Sequence, residues 1–182
     1  MKTRWLSQGL RSWLAAVSLA SVAAPGIAAE SAALEVGLAV RDITPDVPIR
    51  LAGYAGRNRP ADQVDHPLLV QALALRNAAG ERFVFVALDN CEVSHAFMEP
   101  VRQQWVEQFQ LGRGAAAVVS SHTHSGPVLD ETLTDMAQPP PADRERIVQY
   151  SRILKAKLVE VVGAALNDVQ PALLEYGLGR AT

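Results

Sequence analysis

Hydrophobic positions along the chain recur first with the period of β-strands. Residues 34–40 alternate between apolar and small or polar side chains, which is typical of a strand with one buried face. Residues 69–76 and 83–88 form two further apolar runs, and the segment 77–81 between them is polar and contains a glycine. A short connection of this kind between two apolar runs predicts a β-hairpin.

Helical spacing follows further along the chain. Ser94 is a favourable N-cap, and the residues after it predict a helix that runs to Leu111 and is ended by Gly112. A second, longer helix is predicted from about residue 142 to residue 167, because apolar side chains there fall on one stripe. The stripe consists of Ile147, Tyr150, Leu154, Leu158, Val161 and Ala165.

Two more strands complete the predicted order of elements. The apolar run 115–121 lies between the two helices, and the run 172–176 follows the second helix. The order strand, hairpin, helix, strand, helix, strand predicts an α/β domain with a mixed β-sheet and packed helices. The connection 46–67 is dense in proline, glycine and charge, and its length is typical of a functional or a disordered loop.

The first 29 residues have the composition of an export signal. Three basic residues come first, residues 13–24 are apolar, and small residues precede Glu30. The apolar run is shorter than the roughly 20 residues that span a bilayer. We therefore predict a secretory signal over residues 1–29 and a secreted or periplasmic protein, with an uncleaved N-terminal anchor as the alternative. Residues 30–182 are predicted to form an α/β domain that continues beyond the end of this chain.

The net charge and the cysteine content limit the partners and the covalent cross-links that the chain is expected to have. Removal of residues 1–29 takes away three basic residues and no acidic ones, so the formal net charge changes from −2 to −5. Surfaces that bind nucleic acid are basic, so we expect no nucleic-acid partner. The single cysteine, Cys91, cannot form a disulfide within the chain.

The segment His122-Thr123-His124-Ser125-Gly126-Pro127 carries the main chemical signal. Side chains two positions apart in an extended chain share a face, so the two imidazoles are expected to point the same way. Two neutral imidazoles on one face provide half of a metal site. Sites in α/β proteins are commonly built at strand ends, and Gly126-Pro127 predicts a turn directly after the pair. The alternative is a pair of hydrogen-bonded histidines at a strand end.

A catalytic zinc ion usually has three protein ligands and a water molecule whose pKa falls to about 7. We predict His122 and His124 as metal ligands, and His124 and Asp89 as catalytic residues. Asp89 also follows an apolar strand, where it is expected either to bind the metal or to orient a ligand; a loop-starting or helix-capping carboxylate is the alternative. Further ligands available in the chain are Glu92, His66 and His95, although His66 also fits a solvated loop and His95 a helix start.

Nucleophilic mechanisms are the less favoured alternatives. The chain has no Gly-x-Ser-x-Gly motif. Ser121 and His122 would lie on opposite faces of a strand, so His122 is poorly placed to act as the base for a Ser121 nucleophile. Ser125 is predicted to be a turn residue. Cys91 could act as a nucleophile with His122 as its base, but a small buried side chain is the simpler reading. Residues 57–59 carry two arginines that fit either an anionic substrate group or a solvated loop.

Several of these segments together resemble a known family. Residues 40–45 (Val-Arg-Asp-Ile-Thr-Pro), Gly53-Tyr54, Leu88-Asp89 and above all residues 122–127 are similar to the N-terminal domain of the neutral/alkaline (non-lysosomal) ceramidases. The resemblance covers about residues 34–182. The block 122–127 is specific to this family. The other segments are weak signals alone, but they occur in the same order as in the family.

The resemblance implies an exported zinc amidase that hydrolyses the N-acyl bond of ceramide to sphingosine and a fatty acid. It further implies that His122 binds zinc and that His124 lies beside the metal, where it contacts substrate or water. In the family, a second histidine, a glutamate and a tyrosine farther along the chain complete the zinc site, and none of their motifs is recognisable before Thr182. The implied partner is a ceramide-like lipid amide, reached through peripheral membrane contact.

Three hypotheses about function follow from the sequence. The first is a zinc-dependent amidohydrolase that acts on a lipid amide. The second is a metal-dependent hydrolase of the same architecture with another substrate, because a fold and a half-site do not fix the substrate. The third is a noncatalytic exported domain or fragment that lacks the full metal site.

Overall fold

A mixed β-sheet flanked by two helices accounts for the pattern of apolar positions. The computed structural model describes residues 34–46, 48–132 and 139–180, so the predicted signal over residues 1–29 lies outside the described residues. The elements, in chain order, are β1 (Leu34–Asp42), β2 (Leu69–Arg76), β3 (Arg82–Leu88), α1 (His95–Phe109), a 3-10 turn (Arg113–Ala115), β4 (Ala116–Ser120), α2 (Pro141–Asn167) and β5 (Gln170–Ala172).

The strands lie in the order β4-β3-β2-β1-β5. Strands β2 and β3 form the predicted antiparallel hairpin, and β1 pairs antiparallel with both β2 and β5. Strand β4 is parallel to β3 and is reached through the crossover helix α1. The predicted α/β class with a mixed sheet is therefore confirmed. The parallel pair matters for function, because parallel neighbours end at the same edge of the sheet.

The core lies between the helices and one face of the sheet. Alternate residues of β2 and β3 are buried there, and so is the whole predicted stripe of α2. The two helices contact each other through Trp105, whose indole nitrogen donates to the Leu158 carbonyl at 3.3 Å. Helix α2 crosses β1 closely at Gly37, where a Cβ atom would stand 2.0 Å from the Ala165 carbonyl oxygen.

The opposite face of the sheet is also apolar but is exposed. Leu38 of β1, Phe85 of β3 and Val119 of β4 all point to this side, since they occupy the register positions between the buried ones. Among the described residues, no helix combines the length and the apolar character needed to cross a bilayer.

The end of α1 and the position of the last strand differ from the predicted ones. Helix α1 ends at Phe109, because Gln110 adopts the left-handed conformation (φ 54°) that was expected of Gly112. The last strand is Gln170–Ala172 and not 172–176. The chain leaves α2 directly beside β1, so pairing begins at once, and Ala172 is already opposite Leu34 at the start of β1.

Candidate metal centre

The ends of β3 and β4 place two loops side by side. Pairing of the two strands continues beyond β4, since the Ser121 amide donates to the Leu88 carbonyl at 2.9 Å. The buried Asn90 side chain then donates to the Pro127 carbonyl at 3.0 Å. A Cβ atom on Gly126 would lie 2.9 Å from the Asn90 Cα, so glycine is what allows this contact. The segment after β3 is thereby packed against the histidine segment after β4.

The two histidines lie together, but strand alternation does not bring them there. Strand β4 ends at Ser120, and His122 has a φ of 57°, a left-handed conformation outside the strand region. The expectation that both imidazoles share one face because the chain there is extended is therefore wrong. Instead, a turn brings the His122 and His124 ring centroids to 5.2 Å at an interplanar angle of 69°.

Cys91 joins the two histidines in one cluster. One donor atom from each of Cys91, His122 and His124 lies within 4.8 Å of the others, so the three side chains could hold a metal ion. Cys91 is buried, His124 is half-buried and His122 is exposed. The cluster thus extends from the domain interior to solvent.

The Cys91 backbone determines how His122 presents its ring. The Nδ1 atom of His122 lies 2.9 Å from the Cys91 carbonyl oxygen. A carbonyl oxygen can only accept, so Nδ1 carries the hydrogen in this contact and the lone pair remains on Nε2. Histidines that bind metals commonly donate their other ring nitrogen to a carbonyl in this way. The tautomer of His122 therefore fits metal binding through Nε2.

His124 is held by a different segment, the loop that contains Gly53. The Tyr54 ring packs edge-on against the His124 ring with centroids 4.6 Å apart. Arg57 donates from Nη1 to the His124 carbonyl at 2.8 Å, and its guanidinium lies 5.1 Å from the Tyr54 ring centroid. The position of Arg57 against the His124 backbone favours a structural role over binding of an anionic substrate group.

The same long loop is attached to the histidine segment through its backbone. The Ala52 amide donates to the Gly126 carbonyl at 2.9 Å, and the Val128 amide donates to the Arg50 carbonyl at 2.8 Å. Arg50 in turn forms an ion pair of 2.6 Å with Asp143 at the start of α2. Part of the loop over residues 46–67 is therefore ordered around the cluster and walls one side of it.

The remaining predicted residues lie outside the cluster. The Asp89 carboxylate accepts from the Leu69 amide at 3.0 Å, and the residue lines a neighbouring cleft of about 460 Å³ together with His66, Thr123 and Ser125. His66 contacts the carbonyl of its neighbour Pro67.

Glu92 and His95, the two candidate ligands near the start of α1, are also separate from the cluster. His95 lies 3.6 Å from Glu99 on the exposed first turn of α1. The Glu92 amide donates to the Asn90 side chain at 3.3 Å. Neither residue belongs to the described group of donors around His122.

Cys91 is buried, as predicted, but no sequence pattern placed its thiol in one cluster with both histidines. Burial, with a smaller effect of the Glu92 charge, raises the pKa of the Cys91 thiol. A thiol kept protonated is a poor nucleophile, which disfavours the cysteine mechanism. The available signal was topological: Cys91 is the third residue after β3 and His122 is the second after β4, and the two strands are parallel neighbours.

Comparison with solved structures relates the fold of this domain to part of two ceramidase structures. No family model and no curated protein matches the chain. Among solved structures, a ceramidase complexed with C2 superposes with a TM-score of 0.61 at 19% sequence identity. The neutral ceramidase from Pseudomonas aeruginosa superposes with a TM-score of 0.64 at 18% identity.

Both superpositions cover 77% of this chain and 22% of the ceramidase chain. This chain thus spans about a fifth of the length of those proteins. At this level of identity the similarity establishes the fold: the domain folds like one part of these ceramidases.

Proposed function

We propose that this protein is a zinc-dependent hydrolase that cleaves the N-acyl bond of a lipid amide of the ceramide type. The observation that carries the proposal is the cluster of metal-binding donors at the ends of β3 and β4, in a domain that folds like part of a ceramidase. His122 and His124 are the proposed metal ligands. Export through residues 1–29 is part of the same proposal.

The chemistry of the donors fits zinc. A zinc ion, when bound, polarises an acyl carbonyl and lowers the pKa of a water molecule to about 7, which suits attack on a poor electrophile such as an amide. His122 offers Nε2 because its Nδ1 hydrogen is held by the Cys91 carbonyl. His124 is oriented by Tyr54 and Arg57, so its ring is already fixed near that of His122.

The surroundings of the cluster support an amphipathic substrate. Tyr54 packs against His124 and is 61% exposed, so its ring offers an apolar contact beside the cluster. The cleft lined by Asp89 and Thr123 offers polar groups on the other side of the histidine segment. We propose that Asp89 acts from this cleft by holding a polar group of the substrate.

Metal content tests the site. We expect the purified protein to retain zinc after dialysis, and the His122→Ala variant to lose it. His66→Ala is the matched control, because it removes an exposed histidine outside the cluster and is expected to leave zinc content unchanged. Equal zinc content in His122→Ala and the wild type would contradict the proposed site.

Hydrolysis tests the reaction and the substrate class. The zinc-loaded protein is expected to release fatty acid from a short-chain ceramide, and to act more slowly on water-soluble amides and esters. A chelator should abolish the release, and added zinc should restore it. Faster cleavage of the water-soluble substrates would support the second hypothesis, a related hydrolase with another substrate. No cleavage of any substrate by zinc-loaded protein would contradict the proposed activity.

A further inference from the structure

The single cysteine of the chain lies beside the two histidines that are proposed to bind the metal. Cys91 is 3% exposed, and its Sγ atom is 3.8 Å from Nδ1 of His122. Catalytic zinc sites usually have three protein ligands. The resemblance to ceramidases implies that the ligands beyond His122 lie farther along the chain, so a cysteine in this position is not expected from it.

We propose that Cys91 is a metal ligand, and that Cys91, His122 and His124 form a three-ligand site with a preference for zinc and softer cations. The inference uses the two histidines of the proposed function and adds the sulfur ligand to them. It also means that the described residues hold a complete set of three protein ligands by themselves.

The separations are compatible with such a site after a small adjustment. Around a tetrahedral zinc ion, nitrogen and sulfur ligands are roughly 3.4–3.6 Å apart, given zinc bonds of about 2.0–2.3 Å. The donor atoms of the cluster lie within 4.8 Å of one another, a limit that exceeds this value by about 1 Å. The 3.8 Å contact of the Cys91 sulfur is with Nδ1 of His122, whereas the proposed ligand atom of this ring is Nε2. The His122 ring is exposed, so we expect it to close this gap by a rotation that keeps the hydrogen bond from its Nδ1 to the Cys91 carbonyl.

The donor types predict which ions bind. A thiolate with two imidazoles suits zinc, cobalt and copper, whereas magnesium and calcium require oxygen ligands. Asp89 and Glu92, the nearest carboxylates in sequence, do not belong to the cluster. A site built from the two histidines and carboxylates would discriminate less between these two groups of ions. Metal preference therefore distinguishes a site with the Cys91 sulfur from a site with carboxylate ligands.

Cobalt reports directly on the sulfur ligand. We expect the Co²⁺-loaded wild-type protein to show a sulfur-to-cobalt charge-transfer band in the near ultraviolet. The chain has one cysteine, so such a band can arise only from Cys91. We expect Cys91→Ala to lose the band and to bind Zn²⁺ at least about tenfold more weakly. Loss of a residue that is only hydrogen-bonded to a metal ligand already weakens metal binding by about this factor.

Matched variants keep the result interpretable. Cys91→Ser preserves the side-chain size and is expected to lose the band while remaining folded by circular dichroism. His122→Ala is expected to lose both the band and Zn²⁺ binding. All samples are kept reduced, so that intermolecular disulfides do not compete, and excess Mg²⁺ is expected not to displace Co²⁺.

The outcomes separate this inference from the proposed function. A wild-type protein that binds Co²⁺ without the band, together with an unchanged Zn²⁺ affinity in Cys91→Ala, would overturn the sulfur ligand and leave the two-histidine site intact. A clear band in a protein that hydrolyses no amide would support the sulfur ligand and contradict the proposed activity.

Discussion

His122 has a backbone conformation that is uncommon for residues other than glycine. Its φ of 57° places it in the left-handed region, which costs roughly 1–2 kcal/mol for a residue with a Cβ atom. Strained backbone of this kind tends to occur at functional sites, where the surrounding structure maintains it. Here the strain accompanies the turn that brings the ring beside His124.

The strain predicts an order of stability among variants of this residue. Glycine adopts a positive φ freely, but it also gains entropy in the unfolded chain. We therefore expect metal-free His122→Gly to be more stable than metal-free His122→Ala by about 0.5–1 kcal/mol, measured as the free energy of unfolding in urea. Alanine as the more stable of the two would show that the left-handed conformation is not maintained in solution.

Gly53 is the residue through which the long loop constrains His124. It has a φ of 95°, and a Cβ atom there would lie 2.3 Å from Cγ of the His124 ring. We expect Gly53→Ala to displace that ring and to weaken Zn²⁺ binding by at least about tenfold, a loss typical of disturbing a ligand's surroundings. Isothermal titration calorimetry with Zn²⁺ measures this change.

Two other glycines supply the controls. Gly80 also has a positive φ, of 80°, but open space around it, so Gly80→Ala tests backbone strain alone. Gly56 has open space and no positive φ, so Gly56→Ala tests the substitution itself. Both controls are expected to leave Zn²⁺ affinity unchanged. Weaker Zn²⁺ binding in Gly80→Ala would mean that general destabilisation, and not the contact with His124, explains the effect.

The residue types of the site were predictable from the sequence, whereas their arrangement was not. The unusual His-x-His spacing indicated that the two imidazoles act together. The reason given for their common direction, strand alternation, fails because β4 ends before His122. Cys91 and Arg57 reach the histidines through the tertiary structure, by strand pairing and by the loop at Gly53, and no local pattern records such contacts.

At the scale of elements, hydrogen bonding and burial decide where α1 ends. The Gln110 amide donates to the Val106 carbonyl, which is the single hydrogen bond of an αL cap with Gln110 as its left-handed residue. The Leu111 amide donates to the Trp105 carbonyl. Leu111 is buried directly after the turn. The sequence pointed to Gly112 as the stop because glycine prefers the left-handed conformation, but the chain must turn at Gln110 for Leu111 to reach the core.

This helix end predicts opposite effects for one substitution at two positions. Gln110→Gly relieves the left-handed strain and should stabilise the protein by up to about 1 kcal/mol. Gln103→Gly, on an exposed site within the same helix, should destabilise it by up to about 1 kcal/mol because glycine is a poor helix former. Thermal unfolding measures both. Equal signs for the two variants would contradict the left-handed end of α1.

At the scale of the whole domain, the two faces of the sheet are both apolar, but only one faces the helices. Val84 of β3 is 0% exposed, whereas Val119 of the neighbouring β4 is 58% exposed on the opposite face. The alternation of apolar and small residues located the strands correctly. It could not tell which face the helices cover, because residues such as Leu38, Phe85 and Val119 are as apolar as the buried ones.

The difference between the faces can be measured with one matched substitution. Valine to threonine keeps the side-chain shape and replaces a methyl group with a hydroxyl group, which costs about 1–3 kcal/mol when it is buried without a partner. We expect Val84→Thr to lower the free energy of unfolding by that amount and Val119→Thr to change it by less than about 0.5 kcal/mol, as exposed substitutions usually do. A large loss in Val119→Thr would contradict the exposed position of that side chain and would mean that the second face is covered in solution. If the loss then diminished with dilution, the cover would be a second copy of the chain, because only association depends on protein concentration.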